Sequence, residues 1–293
     1  MSLKEIRARI SSVKNTQQIT KAMKMVSAAK LRRAQDNIIN LRPYAKGVLG
    51  LIADIAVTHR VNHPLLQPKS HPQKVLAVVI TSDRGLCGSF NSSVSKFVEA
   101  YYKENKDKYE QLDFLYVGRK GAEYLKNRGL PKPIDVILNL AREISYTMAA
   151  NVAERLMTAF TSGGYDEIQF VYNEFKSAIS QDRVTETLLP IDLSHSSLLN
   201  ENDQKFSKDL IFEPSPEEIV EELLHKHFAV QVYRIMCESV AGEHAARMTA
   251  MENATNNAND MVRNLTLTYN KLRQAAITTE LMEITSGAEA LKG

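Results

Sequence analysis

Hydrophobic residues near both ends of the chain recur in alternating steps of three and four, the spacing of a helix that packs along one narrow stripe. The N-terminal series consists of Leu3, Ile6, Ile10 and Val13, then, after a change of register, Leu31, Ala34, Ile38, Leu41, Ala45, Val48, Ile52 and Ile55. The C-terminal series consists of Met251, Ala254, Ala258, Met261, Leu265, Thr268, Leu272 and Ala275, then Ile277, Leu281, Ile284, Ala288 and Leu291. Both series predict long helices with coiled-coil seams.

Proline placement and capping residues set the predicted limits of the two helices. Neither proline nor glycine occurs before Pro43, and no proline follows Pro216. The segments Ser2–Glu5 and Ser215–Glu218 match the capping box, in which a serine and a glutamate each accept a backbone N–H. A helix of about 75 residues is roughly 110 Å long, so we expect the two helices to pair antiparallel as a rod. We expect Pro43 to kink the first helix or to end its straight part.

Between these helices the pattern changes to short hydrophobic runs separated by segments with helical spacing. The run Val75–Thr81 is typical of a buried parallel strand. Further strands are predicted over Phe114–Val117, Ile134–Leu138, Ile168–Phe175 and Thr187–Leu193, the last at a sheet edge because it contains Pro190. Intervening helices are predicted around Val94–Tyr101, Gly121–Asn127 and Met148–Phe160. The fold class is therefore α/β plus a long antiparallel coiled coil: two long terminal helices and a central Rossmann-like, mostly parallel sheet.

These elements divide the chain into four predicted parts. Residues 1–58 form the N-terminal coiled-coil helix, residues 59–73 a linker, residues 74–210 the α/β domain, and residues 214–293 the C-terminal coiled-coil helix. Within the α/β domain, the polar stretch Ser194–Lys208 is expected to be an exposed loop or hairpin.

Composition and charge narrow the class of protein. The 293 residues are 44% hydrophobic and 24% charged, which is typical of a globular chain, and no run is long enough to span a membrane. The net charge of +3 argues against a dedicated nucleic-acid binder, but the charge is unevenly distributed. Residues 1–60 carry twelve basic and three acidic side chains. Residues 61–214 carry eighteen basic and twenty acidic side chains, and residues 215–293 carry seven basic and eleven acidic ones. Two cysteines, no export signal and no disulfide framework favour the reducing cytoplasm.

Candidate chemistry is sparse. The loop Ser82–Gly88 follows the first strand, where α/β proteins often bind ligands, but it matches neither glycine-rich phosphate-binding pattern. A tight turn or a partner-contacting loop is favoured over a nucleotide-binding enzyme. The histidines are scattered and give no metal site. Lysines and arginines of the first helix predict either a solvated face or a rod that meets acidic protein loops, and Asn253, Asn256, Asn257 and Asn259 predict a polar contact surface.

Four stretches resemble a known family. They are Ile19–Arg33 (ITKAMKMVSAAKLRR), Ser82–Gly88 (SDRGLCG), Ala245–Asn253 (AARMTAMEN) and Tyr269–Ala288. In this order and over the whole chain, they resemble the gamma subunit of F-type rotary ATP synthases. The plant chloroplast form of this family has a regulatory insertion with a nearby cysteine pair, and this sequence has no such insertion. Its two cysteines, Cys87 and Cys237, lie in other sequence contexts.

The resemblance implies a rotor. In that family the terminal helices form an antiparallel coiled coil inside the alpha-beta hexamer, and the α/β domain forms a foot that meets the epsilon subunit and the c ring. Rotation of the ring, driven by proton flow, turns the shaft and changes the nucleotide affinities of the three beta sites. The resemblance implies one copy per complex on the cytoplasmic face of the bacterial inner membrane. It implies no catalytic, cofactor or metal site of its own, since ATP, ADP and Mg are bound by partner subunits.

Matching to the family motifs also assigns partner contacts. Met23 and Lys24 are expected to face the mobile regions of beta. Polar contacts at the catch region or in helix pairing are expected from Arg84, Arg247, Arg273, Gln274, Thr278 and Glu280. The alternative that the residues leave open is a coiled-coil adaptor or scaffold with an α/β domain.

Overall fold

The computed structural model describes residues 2–59, 61–126, 128–138, 144–177, 180–193 and 213–290. The chain divides into two compact units. The first contains the residues up to Ser27 together with those from Met248 onwards, and the second runs from Ala28 to Arg247. The predicted stretch Ser194–Lys208 lies outside the described residues.

Two long helices begin where the capping residues predict. Helix α1 spans Leu3–Thr58, and the last helix, α5, spans Pro216–Ala290. The Ser2 N–H donates to Glu5 Oε2 at 2.9 Å, and the Glu5 N–H donates to Ser2 Oγ at 3.3 Å. Whether Pro43 kinks α1 stays a prediction, but the helix continues through this residue. Packing explains this, because Ile38, Ala45 and Val48 are buried on either side of the proline.

In the first unit the ends of α1 and α5 pair antiparallel. Gln17 contacts Asn259, the Thr20 and Thr255 hydroxyls lie 2.7 Å apart, and Lys24 Nζ lies 2.6 Å from Glu252 Oε1. Partner numbers on α5 fall as those on α1 rise, which confirms the predicted direction. The seam buries mostly small or flexible side chains: Ile6, Thr20, Ser27, Met251 and Ala258.

The last part of the predicted C-terminal seam is not buried by this chain. Because residue 17 lies beside residue 259, the first residue of α1 falls opposite about residue 273. Beyond that point α5 has no helix beside it in the described part of the chain. Ile277, Leu281 and Ile284 are 48%, 59% and 63% exposed. Leu291 lies outside the described residues.

The second unit contains the predicted sheet. Its strands are β1 (Lys74–Ile80), β2 (Gln111–Val117), β3 (Asp135–Ile137), β4 (Glu167–Phe175) and β5 (Gln181–Leu189). The spatial order is β3-β2-β1-β4-β5, parallel except for antiparallel β5. The remaining helices are α2 (Phe90–Asn105), α3 (Arg119–Leu125) and α4 (Tyr146–Thr161), with a 3-10 turn at Pro64–Leu66. The mostly parallel sheet is confirmed.

The limits of four predicted elements were wrong. Strand β2 begins three residues before the predicted Phe114. Strand β5 begins six residues before the predicted Thr187 and ends at Leu189, since Pro190 cannot donate to the ladder. Its early residues are polar because alternate side chains of this edge strand are exposed. Strand β3 is three residues long, and α3 begins two residues before the predicted Gly121. The edge position of β5 is confirmed.

The core of the second unit follows the hydrophobic pattern. Strands β1 and β2 pack against α2 through Val75, Ala77, Val94, Phe114 and Tyr116. The predicted seam of α1 is buried at almost every position of this unit: Leu31, Ala34, Ile38, Ala45, Val48, Ile52 and Ile55. From α5 the side chains of Val220, Leu224, Phe228, Val232 and Ile235 are buried as well.

Candidate partner-contact surfaces

The loop Ser82–Gly88 is a turn between β1 and α2 that is held by hydrogen bonds within the loop and to Asn91 of α2. The Ser82 N–H donates to Asn91 Oδ1 at 2.9 Å, and Ser82 Oγ donates to the Arg84 carbonyl at 2.6 Å. Leu86 has a φ of 64°, in the left-handed region, yet 64% of its surface is exposed. Backbone strain of this kind at a non-glycine residue is typical of functional segments.

The same geometry disfavours the nucleotide-binding alternative. Asp83 Oδ1 accepts the Arg119 N–H at 3.1 Å at the start of α3, so a carboxylate occupies that helix terminus. Burial raises the pKa of the Cys87 thiol, which keeps it protonated and a poor nucleophile. Ser82 and Asp83 Oδ1 therefore hold the conformation of the loop, while Asp83 Oδ2 is buried without a hydrogen-bond partner among the described residues.

Arg247 anchors this loop from α5 within the second unit. Its Nη2 donates to the Gly85 carbonyl at 3.1 Å and lies 2.7 Å from Glu243 Oε1, while Nη1 lies 3.2 Å from His244 Nδ1. Burial, followed by the charges of Arg247 and Lys30, lowers the pKa of His244 to about 4. Since arginine only donates, the neutral imidazole accepts through Nδ1.

Burial also raises the pKa of Glu243, against the opposing effect of Arg247. Sequence reasoning predicted a polar contact for Arg247, and the structure places this side chain in the interior, 8% exposed. Its visible role is to fix the loop that carries Arg84, whose side chain is exposed.

Met23 and Lys24 lie in the first unit on α1. Lys24 forms an ion pair with Glu252 of α5, and both side chains are partly exposed. Three neighbouring apolar residues that the sequence reasoning did not select are strongly exposed: Ile19, Met25 and Val26. Their signal was available, since hydrophobic residues that fall off the seam of a coiled coil face outward.

The four predicted contacts near the C-terminus all lie on the exposed end of α5. Arg273, Gln274, Thr278 and Glu280 are exposed and close together along the helix. The Thr278 hydroxyl donates to the Gln274 carbonyl at 2.9 Å, and the other three side chains point into solvent without a recorded partner in the described residues. They share this end with the exposed apolar residues Ile277, Leu281, Met282 and Ile284.

Comparison with known proteins decides the family. The family model described as ATP synthase matches residues 2–291. The ATP synthase gamma chain of Bdellovibrio bacteriovorus is 62% identical over 294 residues, covering 100% of this chain and 99% of the relative. The chain belongs to the ATP synthase gamma family. The gamma chain of Geobacter metallireducens is 48% identical over 293 residues, again covering 100% of this chain and 99% of the relative.

Chains in solved structures of ATP synthases share the fold. A chain of the Tetrahymena thermophila mitochondrial ATP synthase, from a structure of the central stalk and c ring, matches with a TM-score of 0.62 and 31% identity, over 80% of this chain and 99% of that chain. A chain of the Euglena gracilis mitochondrial ATP synthase, from a structure of OSCP, F1 and the c ring, matches with a TM-score of 0.66 and 25% identity, over 99% and 94%.

The described residues of this gamma-family chain lack two further features. None of the described helices combines the length and apolarity that a membrane span requires. No cluster of histidine, cysteine, aspartate and glutamate side chains in the same residues has the arrangement of a metal site.

Proposed function

We propose that this chain is the central-stalk rotor of a bacterial ATP synthase, which transmits rotation of the membrane c ring to the catalytic beta subunits. In this way proton flow is coupled to ATP synthesis or hydrolysis. The observation that carries the proposal is the end of α5 beyond α1, a helix with exposed apolar residues and no partner in the described chain. Such a surface is typical of a segment that another subunit surrounds.

The first unit has the construction that a shaft needs. Two antiparallel helices resist twisting, and their seam of small side chains allows the backbones to approach closely. The outer face offers polar and basic groups between single apolar residues. Contacts of that kind form and break with modest energies, as rotation against fixed subunits requires.

The proposed contacts follow the family motifs. Met23 and Lys24 would face the mobile regions of beta, and Lys24 would exchange its ion pair with Glu252 for an acidic group of beta. Contacts at the catch region are assigned to Arg84, Arg273, Gln274, Thr278 and Glu280. Arg247 contributes indirectly, because it holds the loop that presents Arg84.

The assembly follows from the same proposal. One gamma copy would pass through the alpha-beta hexamer, and its α/β domain would meet the epsilon subunit and the c ring. The chain would lie on the cytoplasmic face of the bacterial inner membrane as a peripheral protein. Gamma chains are non-catalytic subunits, and ATP, ADP and Mg would be bound by the partner subunits.

Purification tests this proposal against the adaptor alternative. An affinity tag on the α/β domain should isolate the chain together with alpha and beta subunits, and the isolate should hydrolyse ATP. Recovery of the folded chain without those subunits would support the adaptor. A monomer with its own ATP turnover would overturn the rotor assignment and favour a nucleotide-binding enzyme.

A further inference from the structure

Within the second unit, helix α5 is joined to the edge strand β5 by directional polar contacts. Apolar side chains of the helix, such as Phe228 and Ile235, are buried in the same unit. Apolar packing is non-directional, so it holds a helix against a sheet better than it fixes the helix against rotation about its own axis. Hydrogen bonds weaken steeply when their angles change. The polar contacts between α5 and β5 are therefore the ones best suited to resist such rotation.

Arg234 makes the first of these attachments. Its Nη2 donates to Glu186 Oε1 of β5 at 2.6 Å, and its Nη1 donates to the Tyr172 hydroxyl of β4 at 3.3 Å. The Tyr172 hydroxyl donates in turn to Glu186 Oε2 at 2.7 Å, so both carboxylate oxygens accept a hydrogen bond. On its own helix Arg234 contacts Gln231 and Glu238. The arginine side chain is 19% exposed, and charge-assisted hydrogen bonds with little water around them are strong.

Gln181 makes the second attachment, at the start of β5. Its Nε2 donates to the Gly242 carbonyl of α5 at 2.9 Å. Gly242 lies in the interior of a continuous helix, where glycine is less favourable than alanine. A Cβ at this position would meet Gln181 Oε1 at 3.2 Å and Phe90 Cε2 of α2 at 3.3 Å, closer than ordinary contacts. The glycine therefore allows β5 and α2 to approach the helix closely at the point where Gln181 donates.

The two attachments are spaced along both elements. On α5, Arg234 and Gly242 lie about two turns apart, or about 12 Å along the helix. On β5, Gln181 is the first residue and Glu186 lies near the middle of the strand. Rotation of this part of α5 about its axis would have to break both attachments at once.

We propose that β5 is the element through which the α/β domain turns α5, and that the contacts of Arg234 with Glu186 and of Gln181 with Gly242 carry the load. The inference rests on the proposed rotor function, in which the α/β domain meets the c ring and its rotation must reach α5. It adds the positioning residues that transmit this rotation. They act by fixing the angle of the helix on the sheet.

The angular fluctuations of a bead on the α/β domain test this connection. Lys103 lies on α2 and is exposed, so Lys103→Cys attaches the bead to this domain while both native cysteines are buried. In a complex whose alpha-beta hexamer is fixed to a surface and which is halted without ATP, the variance of the bead angle falls as the connection becomes stiffer. Gln181→Leu should raise this variance at least about 1.5-fold, because one of two parallel attachments is lost.

Two further variants test the chemistry of the attachments. Gln181→Lys keeps a donor that can reach the Gly242 carbonyl, so it should restore most of the stiffness that Gln181→Leu loses. Glu186→Leu removes both acceptors of the first attachment but leaves Arg234 paired with Glu238, so the helix keeps no unpaired buried cation. It should also raise the variance, and the combination with Gln181→Leu should raise it more than either change alone.

Lys226→Ala is the matched control. It removes an ion pair with Glu222 that lies within α5 and does not join the helix to the sheet, so the variance should stay unchanged. Urea unfolding of each isolated chain checks that the variants are folded. Gln181→Leu should unfold close to the unmodified chain, because the Gly242 carbonyl lies inside the helix and keeps its helical hydrogen bond.

Three results would overturn the proposal. One is an unchanged variance in both Gln181→Leu and Glu186→Leu, and another is an equal rise in Lys226→Ala. The third is a rise in Gln181→Lys as large as in Gln181→Leu, which would mean that packing and not the hydrogen bond holds the helix. A bead on the unmodified chain that does not turn when MgATP is supplied would contradict the proposed function instead, so the two failures are distinguishable.

Discussion

At the scale of single residues, Arg247 links α5 to the loop Ser82–Gly88. Its guanidinium contacts the Gly85 carbonyl, Glu243 and His244, which are all in the second unit. The motif AARMTAMEN identified this arginine from the sequence, but it did not predict that the side chain is buried. That burial depends on a contact between residues 162 positions apart, which no local pattern contains.

Arg247→Ala should loosen the loop and destabilise the second unit. The substitution leaves the Glu243 carboxyl buried without its partner, a change that typically costs about 3 kcal/mol of unfolding free energy. Urea unfolding of the isolated chain measures this loss, and the rate at which Cys87 reacts with a maleimide should rise as the loop opens. Arg263→Ala, at an exposed position of the same helix, is the control. Unchanged Cys87 reactivity in Arg247→Ala would show that the loop does not depend on this anchor.

Asp166 makes stability depend on pH. Burial raises the pKa of its carboxyl, but Lys69 and the N–H groups of Gln73 and Lys74 outweigh burial and lower the pKa to about 2, below its ordinary value of 3.8. The carboxylate therefore stabilises the fold above about pH 4, and this contribution is lost as the pH falls towards 2.

Asp166→Asn should lower the unfolding free energy by about 2 kcal/mol at pH 7, the equivalent of a pKa shift of this size. The difference from the unmodified chain should narrow as the pH falls from 4 towards 2. Urea unfolding at a series of pH values measures both effects, with Asp107→Asn, at an exposed position, as the control. A difference that stays constant with pH would contradict the assignment.

At the scale of elements, the sequence was informative where structure is decided locally. The capping boxes at Ser2 and Ser215 and the steps of three and four predicted both long helices, because caps and a buried stripe act within a few turns. The β-branched run at β1 predicted the central strand for the same reason. The predicted start of β5 was wrong because its polar early residues are held in the strand by pairing with β4, a contact that the local sequence pattern does not show.

The exposed end of α5 is a second feature that the local sequence pattern could not predict. Its spacing predicts a seam, and spacing alone cannot say whether the partner helix reaches that far. The register at Thr20 and Thr255 decides this, since it places the start of α1 short of Ile277. The candidate contact residues were thus found from motifs, while their exposure required the structure.

The exposed and the buried parts of the predicted seams should respond differently when their side chains are replaced by alanine. The double variant Ile277→Ala and Leu281→Ala should leave the unfolding free energy of the isolated chain within about 0.5 kcal/mol, because both side chains are exposed. The same variant should weaken binding to the alpha-beta hexamer, measured by titration against hexamer that lacks gamma. Ile52→Ala, at a fully buried position, should instead cost about 2–5 kcal/mol of stability. Full hexamer affinity in the double variant would exclude these residues from the interface.

At the scale of the whole molecule, the distribution of charge matches the proposed environments. The basic residues concentrate in α1 and the acidic excess lies in the C-terminal part. One consequence is visible, because Lys24 of α1 pairs with Glu252 of α5. Several other basic side chains of α1 are exposed, among them Lys14, Lys21 and Arg33.

Coupling should depend on the polar groups at the end of α5. Arg273→Glu combined with Gln274→Ala should reduce ATP-driven proton pumping in inverted membrane vesicles, because the change removes one contact and reverses the charge of another. Both side chains are exposed, so the fold should be unchanged. The vesicles should contain normal amounts of the complex by immunoblot. Unchanged pumping would mean that these two residues do not make the proposed contact with beta.

Direct observation of rotation tests the central claim. Lys103, at the end of α2, is highly exposed, so Lys103→Cys offers one reactive thiol for a bead while both native cysteines stay buried. With the alpha-beta hexamer fixed to a surface and MgATP supplied, the bead should turn continuously in one direction. A bead that stays still while the same complexes hydrolyse ATP would contradict the assignment of this chain as the rotor.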